Sequence, residues 1–288
     1  MMIRDRFNVV IVFFLLSMMT MKSQNTDFEM ATYNVGFGAL VGAVGAVINK
    51  KPSQKLGNAF LSGALKGSLG GYLIFESKRT IRKIASTENL EYAWPAKIVN
   101  SLGTSVVESA ARNDGNWNRW HLHIGFNRIE LDLYDKPRIK YKMMPVSFLL
   151  TAYMAFGNKF ELEKSLLTGE FIFSNENSNI FSNDFAAVNI GNVMLYKPSQ
   201  YTPDLIAHEI IHSYQYYDFN FINTWTEKPV SKWLSKTNIN SKILDFFYFD
   251  LNGIPLRAAY LIENTTGPSY YDNFFEYEAG YWSNTLDR

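Results

Sequence analysis

The chain has no cysteine. That excludes a disulfide framework and any lipid attached through a cysteine. Histidine is nearly as scarce, with four in 288 residues. Charge of one sign is missing too. The formal net charge is +1, which leaves no electrostatic footprint for nucleic acid. Long apolar runs are also wanting. Residues 8–19 and 36–48 both fall short of the ~20 residues that span a bilayer. Aromatic residues, in contrast, reach 16%. They suit a membrane interface and a plain aromatic core equally well.

Two of the four histidines stand together in Thr202-Pro203-Asp204-Leu205-Ile206-Ala207-His208-Glu209-Ile210-Ile211-His212. The five residues from His208 form an H-E-x-x-H motif. On a helix His208 and His212 are one turn apart, so both imidazoles leave one face and can bind one metal ion. Glu209 is turned by about 100° and flanks that face. From there it reaches the metal's open position rather than the metal. Thr202 suits the N-cap, Pro203 the first helical position and Asp204 the positive end of the dipole.

A catalytic zinc needs a third protein ligand and one open position. Asp218 is a poor candidate. A continuing helix would carry it about 9 Å along the axis past His212. Gln215 stands where a chain-turning glycine would be needed, and no methionine follows Met194. The other candidate lies in Phe274-Phe275-Glu276-Tyr277-Glu278-Ala279-Gly280, whose aromatic spacing predicts a second helix, capped by Ser269 or Asp272.

An H-E-x-x-H helix followed by an E-x-E-A helix resembles the gluzincin zinc metallopeptidases. The closest pattern is the CAAX-prenyl-endopeptidase type, in which the first Glu of E-x-x-A-D is the third zinc ligand. The resemblance implies Glu276 as that ligand, with Glu278 as the runner-up. The family's aspartate, which braces a ligand histidine, falls at Gly280. The resemblance covers these two short helices only. It implies a zinc-dependent peptidase with metal ligands His208, His212 and Glu276. Glu209 would be the general base in amide hydrolysis of a peptide or protein substrate. Tyr270, Tyr271, Tyr281 and Arg257 are the candidates for stabilising an oxyanion. It also implies that the strand before the motif helix, ending at Tyr196, lies at a sheet edge and binds substrate by strand addition.

The rest of the chain reads as α+β in three parts. Residues 1–23 have a basic start at Arg4 and Arg6 and a short apolar run, the pattern of a secretory signal or N-terminal anchor. The expectation is export to the cell envelope, as a periplasmic or membrane-associated protein. Residues 24–115 read as helical. Gly38, Gly42 and Ala46 repeat every four residues, as do Ala59, Gly63 and Gly67. Such stripes let two helices approach closely, either in a membrane or in a tightly packed soluble hairpin. Residues 116–288 read as a sheet followed by the two metal-site helices. The turn Asn113-Asp114-Gly115-Asn116 marks the boundary.

Alternation from Trp120 to Phe126 predicts a half-buried strand, with His121 and His123 on one face. An H-x-H metal pair is conceivable there, and a hydrogen-bonded network the simpler reading. Further strands are expected at 138–144, 147–156, 159–163, 169–174 and 191–196, as an antiparallel meander. Residues 256–262 fit a helix or a strand. A reading of another class remains: a non-catalytic envelope structural or membrane-interaction protein with a vestigial H-E-x-x-H.

Overall fold

The computed structural model describes residues 26–114, 118–180, 185–234, 245–265, 267 and 269–286. The signal-like residues 1–23 and the turn at 115–116 lie outside them. The fold is α+β. Among the described residues the first element is α1 (Asp27–Ile48), capped by Thr26, whose hydroxyl accepts from the Glu29 N–H while the Glu29 carboxylate accepts from the Thr26 N–H. By length and composition α1 could cross a membrane. It also packs against protein, with Met30, Val41 and Ala46 buried.

Its main partner is α2 (Leu56–Thr87). Gly38 faces Gly67 and Gly71, and Gly42 faces Gly63, so the two helices run antiparallel in backbone contact. A methyl group on Gly67 would fall on the carbonyl oxygen of Gly38, which cannot swing aside. We expect Gly67→Ala to lower stability by about 1–3 kcal/mol. Alanine's advantage of about 1 kcal/mol in a helix offsets this only in part. Urea unfolding measures the difference, and a raised midpoint would mean that the backbones are further apart than this. α3 (Ala93–Ala111) completes the layer, with Gly103 against Gly70 and Ala111 against Gly45.

The first sheet is antiparallel: β1 (Arg119–Ile124), β2 (Asn127–Asp132) and β3 (Arg138–Met143). Its polarity is inverted. His121, His123, Arg128 and Glu130 face inward and are buried, while Ile129, Leu131, Ile139 and Tyr141 are exposed. The inner face meets α3 through charge. Glu108 accepts from Arg128 Nη2 at 2.8 Å and from Arg112 Nη1 at 3.0 Å, and Arg128 Nε donates to Glu130 at 2.7 Å. Buried ionic groups persist only when paired and hydrogen-bonded in this way.

Residues 147–156, expected as a strand, form most of α4 (Pro145–Ala155). A short apolar run does not distinguish the two. What decides it is a distant cap: the Asp250 carboxylate accepts from the N–H groups of Val146 and Ser147 at 2.9 and 2.8 Å. The 159–163 strand shrinks to β4 (Lys159–Phe160), because α5 (Leu162–Thr168) begins at once. β5 (Phe171–Ser174), β6 (Ala187–Ile190) and β7 (Val193–Tyr196) complete a second sheet in the order β4-β5-β7-β6. β5 and β7 are parallel, so the expected all-antiparallel meander is corrected here. β7 is central, and the edge beside the motif helix belongs to β6 instead.

That motif helix, α6 (Pro203–Asp218), runs through the core. Ile206, Ala207, Ile210, Ile211 and Tyr214 are at most 1% exposed. Each fully buried isoleucine stabilises by about 1.5–3 kcal/mol. α6 contacts α2 and β6. After α7 (Phe221–Leu234) and α8 (Gly253–Glu263), α9 (Phe274–Ser283) packs along α6 and α2. Residues 256–262 are therefore helical.

Candidate metal centre

The sequence positions α6 as expected. The Thr202 hydroxyl accepts from the Leu205 N–H at 3.1 Å, and Pro203 opens the helix. The isoleucines lock one side of α6 into the core, so the histidines are turned towards α9. There Asn273 caps the helix through the Phe275 N–H, and Glu276 lies in the first turn.

Three ligand atoms meet between the two helices. His208 Nε2 lies 3.1 Å from His212 Nε2, and Glu276 Oε2 lies 3.3 Å and 3.2 Å from the two nitrogens. A tetrahedron with metal–ligand bonds of 2.0–2.1 Å has edges of about 3.3 Å. The triangle therefore matches one face of such a site, and the donor set of two imidazoles and one carboxylate suits a divalent metal. His208 and Glu276 are buried, and His212 is the more open of the three.

The charges are arranged around this triangle. Burial opposes charge on both Glu276 and His212, but each outweighs it for the other. Glu276 is held well below the usual carboxylate range, and His212 is pushed up to about 9. Burial keeps His208 below the ordinary imidazole value. Glu209 is different. It is buried, its Oε2 has no hydrogen-bond partner, and desolvation raises it to about 7. The charges of His212 and Glu276 are both felt there.

Two phenols close the site. Tyr260 Oη donates to Glu276 Oε1 at 2.7 Å, and Tyr270 donates to Glu276 Oε2. Of the expected oxyanion candidates only Tyr270 touches the cluster directly. Tyr271 bonds to Thr285, and Tyr281 to Asp27. Arg257 stacks over the Tyr260 ring at 5.8 Å. Asp218 pairs with Lys78 at 2.8 Å and stands outside the cluster. So does Glu278, which lies 3.0 Å from the same lysine.

His121 and His123 form no metal group among the described residues. Thr104 and Ser105 each lie 3.0 Å from a ring nitrogen of His121, and Arg128 lies 3.1 Å from His123 Nε2. Burial, aided by Arg128, lowers His121 to about 3, so it stays neutral.

Asn189 of β6 was not legible in the sequence as part of the site. Its Nδ2 donates to the Glu209 carbonyl at 2.7 Å and to Ser213 Oγ at 2.8 Å, which ties the sheet edge to the motif helix. The alternation Val188-Asn189-Ile190 was the only available signal, and it is three residues long. Comparison with protein-family models, with curated proteins and with solved structures gave no match for this chain.

Proposed function

We propose that the chain is a zinc-dependent peptidase of gluzincin-like design, with His208, His212 and Glu276 as metal ligands. The observation that carries the reading is the triangle of ligand atoms, with edges of 3.1–3.3 Å. When bound, Zn²⁺ supplies a Lewis acid that polarises an amide carbonyl and lowers the pKa of a water towards about 7. Glu209 takes the proton from the attacking water and delivers it to the leaving amine. Its unpartnered oxygen leaves it free for both transfers. Tyr260 and Tyr270 donate to Glu276 and orient its carboxylate. β6, the terminal strand of its sheet among the described residues, takes the substrate backbone as an added strand.

Elemental analysis tests the metal. Wild type is expected to hold one zinc per chain, and His208→Ala and Glu276→Gln to hold far less. Equal zinc in Glu276→Gln would remove Glu276 from the ligand set. No zinc in wild type would sink the peptidase reading.

We place this peptidase in the cell envelope, held at a membrane. The start of residues 1–23 supports export. Leu61, Leu65, Leu69 and Tyr72 form one stripe on α2, each at least 43% exposed, and Ile98 and Leu102 are exposed on the neighbouring α3. Lys50, Lys51 and Lys55 flank that stripe, and residues 49–75 contain no acid. An apolar face with a basic rim suits an anionic lipid surface. Wild type is expected to sediment with anionic vesicles, and the double variant Leu61→Glu, Leu65→Glu to stay in solution. Equal sedimentation of the two proteins would refute this surface.

A further inference from the structure

The side chain behind His212 is Gln215, buried one turn further along α6. Its Oε1 lies 2.8 Å from His212 Nδ1. Its Nε2 donates to the Phe275 carbonyl at 2.9 Å and to Glu278 Oε2 at 3.0 Å. The Phe275 carbonyl can only accept. Glu278 is held as an acceptor as well, because Lys78 Nζ donates to both of its oxygens at 3.0 Å and Asn34 Nδ2 donates at 3.2 Å.

These partners leave the amide one orientation. Its NH₂ must face the two acceptors, so its oxygen must face His212 and accept. The proton of neutral His212 is then on Nδ1, and the Nε2 lone pair points into the ligand triangle. His208 has a looser contact, with Thr285 Oγ1 at 3.4 Å from its Nδ1.

We propose that Gln215 is the positioning residue of the metal centre. Held by Glu278 and Lys78, it fixes the tautomer and ring orientation of His212. The inference rests on the metal reading above. It also gives α1 and α2 a part in the centre, since Asn34 and Lys78 come from those helices. Glu278 thus acts behind the ligands, as a support for Gln215.

The test is Zn²⁺ affinity of the full chain, measured by chelator competition, beside the thermal midpoint of the metal-free protein. The absorption bands of the Co²⁺-loaded protein report ligand geometry. Gln215→Ala is expected to weaken Zn²⁺ binding about 10–100-fold. It should shift the Co²⁺ bands, and lower the metal-free midpoint only by the few degrees that its lost buried hydrogen bonds cost. Gln215→Met keeps the volume and removes the acceptor at His212, and should lose about as much affinity as Gln215→Ala. Unchanged affinity and bands in Gln215→Ala would overturn the proposal. So would full affinity in Gln215→Met, or a loss that the fall in the metal-free midpoint accounts for in full. If wild type binds Zn²⁺ no better than His208→Ala, the metal reading has failed, and the brace with it.

Discussion

Glu209→Gln is expected to keep its zinc and its fold and to lose hydrolysis by about 10²–10⁴-fold, the usual effect of removing a general base. The substitution is isosteric. Burial already disfavours the charge on Glu209 and raises it to about 7, so a neutral amide is tolerated there. His208→Ala, in contrast, should lose the metal along with the activity. A comparison of peptide termini between cells with wild type and cells with Glu209→Gln needs no known substrate. Identical termini, with wild type expressed and zinc-loaded, would rule out peptide hydrolysis. The non-catalytic envelope reading would then lead.

The largest loss of stability is expected from Glu108→Gln. Glu108 receives Arg112, Arg128 and Asn220 in a region where all four are buried. Arg128 and Arg112 outweigh the burial of Glu108 and hold it well below the ordinary carboxylate range. Removing its charge leaves two guanidinium groups in the interior without their shared counter-charge. Breaking a buried pair in this way costs about 3–5 kcal/mol. A whole domain is stable by only about 5–15 kcal/mol. The exposed pair Lys140–Asp132, at 2.7 Å, contributes at most about 1 kcal/mol. Urea unfolding of Glu108→Gln and Asp132→Asn compares them. Equal, small losses would mean that the Glu108 cluster does not hold α3 to the first sheet.

The local signals in the sequence were sufficient where the deciding chemistry is local. The α6 cap, the phase of its isoleucines and the i, i+4 histidines all lie within eleven residues, and the helix forms where they place it. The small-residue stripes likewise become the backbone contact of α1 with α2. Failures occurred where a distant residue decides. α4 reads as a strand until Asp250 caps it from over a hundred positions away. β1 alternates as an ordinary half-buried strand. Its buried side carries the histidines, because Glu108 and Arg128 turn that interface polar. In the sequence Gln215 serves only to argue against Asp218, because it is not glycine. Its worth comes from the carboxylate of Glu278, 63 residues further on.

The same long reach bears on timing. Glu276 is made 68 residues after His208, and the supports Asn34–Glu278 and Asp27–Tyr281 span 244 and 254 residues. At a synthesis rate of about 5–20 residues per second, the two histidines wait roughly 3–14 s for their carboxylate. A ribosome-bound chain that has not yet released α9 holds two of the three proposed ligands, and Gln215 without the Glu278 carboxylate that orients it. The proposed metal centre is therefore incomplete in the nascent protein until α9 has docked between α6 and α2.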